Sequence, residues 1–162
     1  MAGVASSKAS RRAGSPRTTL PDLVDAVKAL AHPGRLRLLA MLRGGDLCVC
    51  QMTAVMELAA STVSSHLGDL RRAGLVTERK SGKWVHYHLV TAGPLADLVA
   101  EALRLAAEDD RLGQDAQTVE NLRRIPIETL CSTGFDRKLV GALSASLEQR
   151  PRRSQTATRR HP

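Results

Sequence analysis

The spacing of apolar residues along the chain predicts a helix that is followed by a β-hairpin. Between Ala59 and Gly74, the residues Val63, Leu67 and Leu70 recur at helical spacing and share one face. Hydroxyl side chains and a histidine fill another face, although Ser and Thr are indifferent helix formers. The glycine at position 74 is well placed to end the helix.

After this helix, the pattern changes to the two-residue period of strands. Leu75–Lys80 and Lys83–Val90 are predicted to pair around Ser81-Gly82. Along the second strand, one face would carry Val85, Tyr87 and Leu89, and the other Trp84, His86 and His88. A polar helix followed by a hairpin with a basic tip is the arrangement of a winged helix-turn-helix.

Such a helix enters the major groove, where small hydroxyls approach base edges and phosphates closely. The residues predicted to contact DNA are Ser61, Thr62, Ser64, Ser65 and His66 on the helix, and Arg71, Arg72, Arg79, Lys80 and Lys83 towards the hairpin tip. An alternative for Ser61 is a purely structural role as the N-cap of the helix.

Helical periodicity also predicts helices outside this segment. They are Leu20–Leu30, Pro33 to about Arg43, Leu47–Leu58, Pro94–Arg111, and two in a C-terminal extension, around Ala116–Leu130 and Phe135–Leu147. The predicted core residues of the second are Leu36, Leu39 and Leu42, and those of the third are Met52, Val55 and Met56. The fold class is mainly α with a small β-hairpin. The domains are a winged helix-turn-helix at 20–112, a helical extension at 113–149, and disordered tails at 1–19 and 150–162.

The apolar stripe of Pro94–Arg111 needs a partner surface, and a second copy of the chain is the simplest one. We therefore expect a homodimer. With one reading helix per chain, the dimer is predicted to bind an inverted repeat in double-stranded DNA.

Composition and charge limit the classes of function that the chain can have. The 162 residues carry a net charge of +8, but the two tails hold nine bases and no acid, which leaves −1 for residues 20–149. Only the local clustering of bases near the hairpin therefore argues for DNA binding by the domain. We see neither a membrane-spanning run nor a secretory signal, and three cysteines then indicate reduced thiols in the cytoplasm. An enzyme is not expected, since no cysteine has an identifiable base and no phosphate loop is present.

Several runs together resemble the ArsR family of small bacterial metal- and metalloid-sensing repressors. They are Ala31-His32-Pro33-Gly34-Arg35-Leu36-Arg37-Leu38-Leu39, Leu47-Cys48-Val49-Cys50, Ser61-Thr62-Val63-Ser64-Ser65-His66-Leu67 and Leu70-Arg71-Arg72-Ala73-Gly74-Leu75-Val76. The match extends from Leu20 to Arg111. The Leu-Cys-Val-Cys run resembles the thiolate site of the arsenite- and antimonite-responsive branch, and of the cadmium- and lead-responsive branch. The resemblance implies a repressor that leaves its operator when As(III) or Sb(III) binds.

The chain departs from the family pattern at the third ligand. The usual third cysteine is replaced by Thr53, residues 1–47 contain no cysteine, and the predicted dimer helix contains no histidine for a zinc-type site. The remaining thiol is Cys131. We predict that it completes the metal site of Cys48 and Cys50, in cis or in trans; a small cellular thiol is the alternative.

Two cysteines separated by one residue lie on nearly opposite sides of a regular helix, so one ion joins them only where the first turn is irregular. A helix N-terminus is expected to lower a thiol's pKa, and soft thiolates suit arsenic, antimony, cadmium and lead. The structural alternative is that these cysteines are small buried hydrophobes. The functional alternatives are a cadmium- or lead-responsive repressor, a thiol-redox-responsive repressor, and an architectural DNA-binding protein without a ligand.

Overall fold

The computed structural model describes residues 17–132, which form seven helices and three strands. In chain order these are α1 (Leu20–Leu30), α2 (Pro33–Leu42), β1 (Leu47–Cys48), α3 (Val49–Met56), α4 (Ala60–Arg72), β2 (Val76–Ser81), β3 (Trp84–Leu89), α5 (Pro94–Leu105), α6 (Asp110–Arg123) and α7 (Ile127–Ser132). The predicted helix around Phe135–Leu147, the C-terminal tail and most of the N-terminal tail lie outside the described residues. Among the helices described, none is both long and apolar enough to cross a membrane.

The predicted core faces of α3 and α4 are confirmed. Val63, Leu67 and Leu70 of α4 are completely buried, and the predicted α3 residues Met52, Val55 and Met56 are at most 4% exposed. On α2 the prediction was partly wrong. Leu39 and Leu42 are buried as expected, but Leu36 is half-buried and its place in the core is taken by Leu38.

The hairpin follows the predicted alternation, with Ser81 opposite Trp84 and Gly82 at a φ of +60° in the turn. Such a φ favours glycine because it has no Cβ. Tyr87 is buried, and Val85 and Leu89 pack against the core beside it. This hairpin, β2–β3, is called the wing below.

The sheet contains a third strand that the sequence pattern did not predict. The two-residue strand β1 pairs antiparallel with β3, so that the sheet order is β1-β3-β2. The prediction that a helix begins at Leu47 was therefore wrong: Leu47 and Cys48 form a strand, and α3 begins two residues later, at Val49. The cause is pairing with a strand almost forty residues away, which helical periodicity does not register.

The chain beyond the wing also divides differently from the prediction. Helix α5 ends at Leu105 rather than at Arg111, because the Asp109 carboxylate accepts hydrogen bonds from the backbone N–H groups of Arg111 (2.9 Å) and Leu112 (3.3 Å). These bonds cap a new helix. The predicted helix around Ala116–Leu130 is interrupted, because α6 ends at Arg123 and α7 begins at Ile127.

Helices α6 and α7 pack against α2 and α3 and share their core. The buried side chains that they contribute are Val119, Leu122 and Leu130, together with Ile125 between the helices. A nearly buried ion pair fixes α6 to α2: the Arg37 guanidinium donates to both Asp115 oxygens, at 2.7 and 2.8 Å. The first part of the extension is thus a layer of the same folded unit.

A second arginine of α2, Arg35, fixes helix α4 to the neighbouring helices. Arg35 donates to the carbonyl oxygens of Ala29 (2.5 Å) and Lys28 (2.8 Å) at the end of α1. The same guanidinium reaches the Asp69 carboxylate of α4 at 3.4 Å. Arg35 therefore joins three helices, and α4 is held to the body of the domain by both packing and charge.

Candidate functional site: a thiol cluster beside a DNA-reading helix

The first group of residues predicted to contact DNA consists of the hydroxyl residues of α4. Ser61, Thr62, Ser64 and Ser65 are all exposed. The alternative role of Ser61 as N-cap is wrong, because the helix begins at Ala60 and its N-cap residue is Ala59, which makes no side-chain capping bond. The side chain of Ser61 is therefore not occupied as the cap of its own helix.

His66 is placed differently from these serines. Its ring is half-buried and lies 4.5 Å from the ring of His32, with an angle of 49° between the two planes. Burial, together with the neighbouring His32 and Arg35, lowers the pKa of His66. The His32 Nδ1 atom itself accepts a hydrogen bond from the Gly34 N–H at 3.0 Å and caps α2. His66 thus contacts α2 as well as belonging to the predicted reading face.

The predicted basic contacts fall into two groups. Three arginines contact acids: Arg71 is paired with Glu78, Arg72 with Asp69, and Arg79 lies 3.8 Å from Asp46. The two lysines of the wing are exposed at its tip. The ammonium of Lys83 sits 4.8 Å from the ring centroid of Trp84. Lys80 and Lys83 therefore present cationic charge to solvent at the wing tip.

Cys48 occupies a junction, since it is the last residue of β1 and also the N-cap of α3. Its backbone is extended, with φ −87° and ψ 161°. Its Sγ atom accepts a hydrogen bond from the Gln51 N–H at 3.5 Å, and the Gln51 Oε1 atom accepts from the Cys48 N–H at 3.0 Å. This reciprocal pair is a capping box with sulfur in place of the usual hydroxyl. Cys48 therefore lies before the first turn of α3, and the two cysteines are not on opposite sides of one regular helix.

All three cysteines of the sequence come together at this junction. The side chain of Cys50 lies close enough to those of Cys48 and Cys131 for both to affect its pKa, and Cys48 likewise affects the pKa of Cys131. Cys131 arrives on α7, which packs against α3 of the same chain. The three thiols, called the thiol cluster below, are thus assembled within one protomer.

The predicted lowering of the thiol pKa values by the helix N-terminus is wrong. Burial raises the pKa of Cys48 to about 11 and that of Cys50 to about 11. The pKa of Cys131 is also raised, chiefly by burial. Desolvation of the charged form outweighs the backbone N–H bonds at the helix start. The thiols are therefore protonated near neutral pH.

Thr53, at the position of the third cysteine in the family pattern, is almost completely buried, with 6% of its surface exposed. Its Oγ1 atom is buried without a hydrogen-bond partner. Within residues 17–132, no set of three or more His, Cys, Asp or Glu side chains is arranged to hold a metal ion. A ligand joined to all three thiols would therefore have to draw them closer than they are here.

Sequence reasoning missed the residues that surround this cluster. His86 lies opposite Cys48 in the sheet, and Asp46 pairs with the Nδ1 atom of His88. Both histidines are half-buried. The local feature that could have indicated these contacts is Asp46, which directly precedes Leu47-Cys48. Its contact with His88 can be recognised only once β1 is known to pair with β3.

Helix α4 packs against the shorter helix α3 and is followed by the basic wing. This arrangement defines a winged helix-turn-helix DNA-binding protein. Similarity to known proteins narrows this class. The family description "Bacterial regulatory protein, arsR family" matches residues 32–78. The Escherichia coli arsenical resistance operon repressor is 38% identical over 88 residues, which are 52% of this chain and 75% of that protein. The chain belongs to the arsR family.

Two further proteins are similar over comparable segments. The arsenic resistance transcriptional regulator ArsR1 of Pseudomonas putida is 44% identical over 63 residues, which cover 38% of this chain and about half (49%) of that relative. In three dimensions, HlyU from Vibrio cholerae matches with a TM-score of 0.50 and 34% identity, over 54% of this chain and 95% of that one. The two relatives compared by sequence are regulators by name, in agreement with the expectation of a regulator rather than an enzyme.

Proposed function

We propose that this protein is a homodimeric repressor that leaves its operator when trivalent arsenic or antimony binds to Cys48, Cys50 and Cys131. The observation that carries the proposal is the meeting of all three thiols of the chain at the start of α3. The reading helix α4 follows α3 directly and packs against it. A ligand at the thiol cluster is therefore one helix away from the DNA-reading surface.

The chemistry of the cluster suits a soft trivalent centre. Arsenous acid is a neutral trihydroxide, so each thiol replaces one As–O bond by an As–S bond and its proton leaves with hydroxide as water. Three thiols yield three waters, and no free proton is released. Cys131 supplies the third sulfur that Thr53 lacks, and no external thiol is needed. Both sequence relatives are named for arsenic or arsenical resistance, which supports the same inducer here.

The test replaces each cysteine by serine in purified, reduced protein kept free of other thiols. Cys48→Ser, Cys50→Ser and Cys131→Ser should each still bind the operator, because none of these residues lies on α4 or at the wing tip. Release by arsenite should be lost or markedly weakened in each. Ser132→Ala, at the exposed neighbour of Cys131, is the matched control and should respond as the wild type does.

Normal release in the Cys48 or Cys50 variant would remove the proposed site. Unchanged arsenite affinity and unchanged sulfur coordination in Cys131→Ser would show that two thiols act without the third. A panel of As(III), Sb(III), Cd(II), Pb(II) and Zn(II), applied to the same operator complex, identifies which ion releases DNA.

A second candidate function is thiol-redox sensing, favoured by the closeness of the Cys50 and Cys131 side chains. A peroxide would oxidise this pair to a disulfide and would itself be reduced, so that hydrogen peroxide yields two waters. The raised pKa of Cys50 disfavours this route, since the thiolate is the nucleophile. Operator release by peroxide in the absence of metalloid, abolished in Cys131→Ser, would establish it instead.

The proposed dimer uses α1 as well as α5. Helix α5 directs Ala96, Val99 and Leu103 into its own core, so less of its apolar stripe is available to a partner than the sequence suggested. The larger exposed apolar set lies on α1, which packs against α5, and consists of Leu20, Leu23, Val24 and Val27. A second copy covering this face would give the assembly two reading helices, the number that an inverted repeat requires.

A further inference from the structure

The segment 46–48 connects the thiol cluster directly to the wing. Leu47 is paired with Tyr87 and Cys48 with His86 across the β1–β3 ladder. Just before them, the Asp46 carboxylate contacts the Nδ1 atom of His88 on β3 and lies 3.8 Å from the Arg79 guanidinium on β2. Asp46, which directly precedes β1, therefore contacts both strands of the wing.

We propose that Asp46 is a positioning residue that, with β1, transmits ligand binding at the thiol cluster to the wing, so that the wing is the first DNA contact to be lost. The inference rests on the proposed function, because it concerns what happens after a metalloid has bound. It differs from a transfer of strain along α3 into the reading helix, which the chain order alone would suggest.

The physical basis is the double engagement of Cys48. Its sulfur caps α3 by accepting from Gln51, while its backbone belongs to β1. A metalloid that joins Cys48 to Cys50 and Cys131 would draw the Cys48 sulfur, and with it the residue, towards the other two thiols. Strand β1 has only two residues and is too short to accommodate the displacement by bending. We therefore expect the displacement to change the pairing of β1 with β3 and so the position of β3.

The reading helix is better protected from the same displacement. Helix α4 is anchored by three completely buried side chains and by the contact of Arg35 with Asp69. The wing tip bears Lys80 and Lys83 on exposed positions and depends on its ladder for placement. Displacement at β1 should therefore alter phosphate contacts before it alters base contacts.

The first test separates these two kinds of contact in the wild-type protein. Affinities for the operator and for a scrambled duplex are measured over a range of salt concentrations, with and without saturating arsenite. Wing lysines contribute to the salt dependence of binding to every sequence, by about one unit of slope for each lost phosphate contact. We expect arsenite to lower the slope on both duplexes while the residual preference for the operator persists.

The second test removes the connection. Asp46→Ala should bind arsenite with unchanged stoichiometry, but the ratio of operator affinities without and with arsenite should fall about threefold or more. His88→Ala should act in the same way, and the double variant should add little. The matched control is Glu78→Gln, which breaks a wing ion pair to Arg71 on α4 and leaves the Asp46 contacts intact; its affinity ratio should stay at the wild-type value.

The outcomes distinguish the inference from the function on which it rests. If arsenite does not bind the purified protein, both fail. If arsenite binds and releases the operator with an unchanged salt slope and a lost sequence preference, the signal passes through α4 and the role of the wing is overturned. If Asp46→Ala and His88→Ala keep the wild-type ratio of operator affinities without and with arsenite, the role of Asp46 is overturned while the proposed function remains intact.

Discussion

Cys48 is the N-cap of α3 and Thr53 lies inside the same helix, and they differ in how their polar atoms are satisfied. The Cys48 sulfur completes a capping box, although sulfur is a weak acceptor. Thr53 has the better acceptor, yet its Oγ1 atom is buried without a hydrogen-bond partner. A buried hydroxyl without a partner lowers stability, because folding removes it from water without compensation.

We therefore expect Thr53→Val to stabilise the fold. Valine has nearly the same shape and removes the hydroxyl, so the free energy of unfolding should rise by about 1 kcal/mol. Urea denaturation followed by circular dichroism measures this change. Thr91→Val, at an exposed position, is the control and should have little effect. A loss of stability in Thr53→Val would mean that the hydroxyl has a partner in solution.

Helix α6 shows how an element of low apolar content is fixed to the fold. Its buried side chains include Val119 and Leu122, but also the carboxylate of Asp115, whose side chain is 7% exposed. The Arg37 guanidinium compensates this charge with two hydrogen bonds, and Asp115 in turn raises the pKa of Arg37. The pair holds α6, and through it α7 and Cys131, against α2 and α3.

Arg37→Ala should consequently cost about 3 kcal/mol, because it leaves the Asp115 carboxylate buried without its counter-charge. The double variant Arg37→Met, Asp115→Leu should recover most of this loss, since no charge then remains buried. Both are measured by chemical denaturation. Arg104→Ala, which breaks only an exposed pair with Glu101, should change stability little. An equal loss in both arginine variants would contradict this account of α6.

The helix α4 and the wing are expected to contribute to DNA binding in different ways. Replacing Ser64, Ser65 or His66 by Ala should reduce the preference for the operator, by about 1 kcal/mol where a base contact is lost. Replacing Lys80 or Lys83 by Ala should weaken binding to all DNA and lower its salt dependence. Titrations on specific and scrambled duplexes at several salt concentrations measure both effects. If the lysine variants changed sequence preference alone, the two assignments would be reversed.

The described part of the chain has one large surface that its own fold leaves uncovered. On α1, only the small residues Ala26 and Ala29 are buried, whereas the exposed fractions of Leu20 and Val27 are 74% and 49%. Leu105 on α5 is 73% exposed. A group of exposed large apolar side chains on one helix typically marks a protein–protein interface.

Val27→Glu should convert the proposed dimer into a monomer, because it places a charge in the apolar interface. Light scattering at micromolar concentration measures the mass. The wild-type footprint should cover two half-sites about 34–36 Å apart, and the variant should lose this paired footprint. Leu58→Glu is the control, since Leu58 is also exposed but lies between α3 and α4, and its mass should remain that of a dimer. A monomeric wild type would contradict the proposal.

Local spacing was sufficient to predict the buried face of α4, the wing and the core side chains of α3. Each of these features depends on residues that are close together along the chain: apolar positions three or four apart, or alternating side chains around a turn glycine. The exposed hydroxyl residues of α4 followed from the same pattern. The family resemblance added the prediction that Cys48 and Cys50 bind a ligand.

Tertiary structure decided the features that depend on distant partners. Pairing of β1 with β3 moved Cys48 out of a helix, and burial raised the pKa of a thiol that local reasoning had expected to be acidic. The meeting of Cys131 with Cys50 depends on the docking of α6 and α7, which Arg37 and Asp115 hold from positions far apart in sequence. Desolvation and strand pairing are set by whichever elements pack together, and that information is absent from a short window of residues.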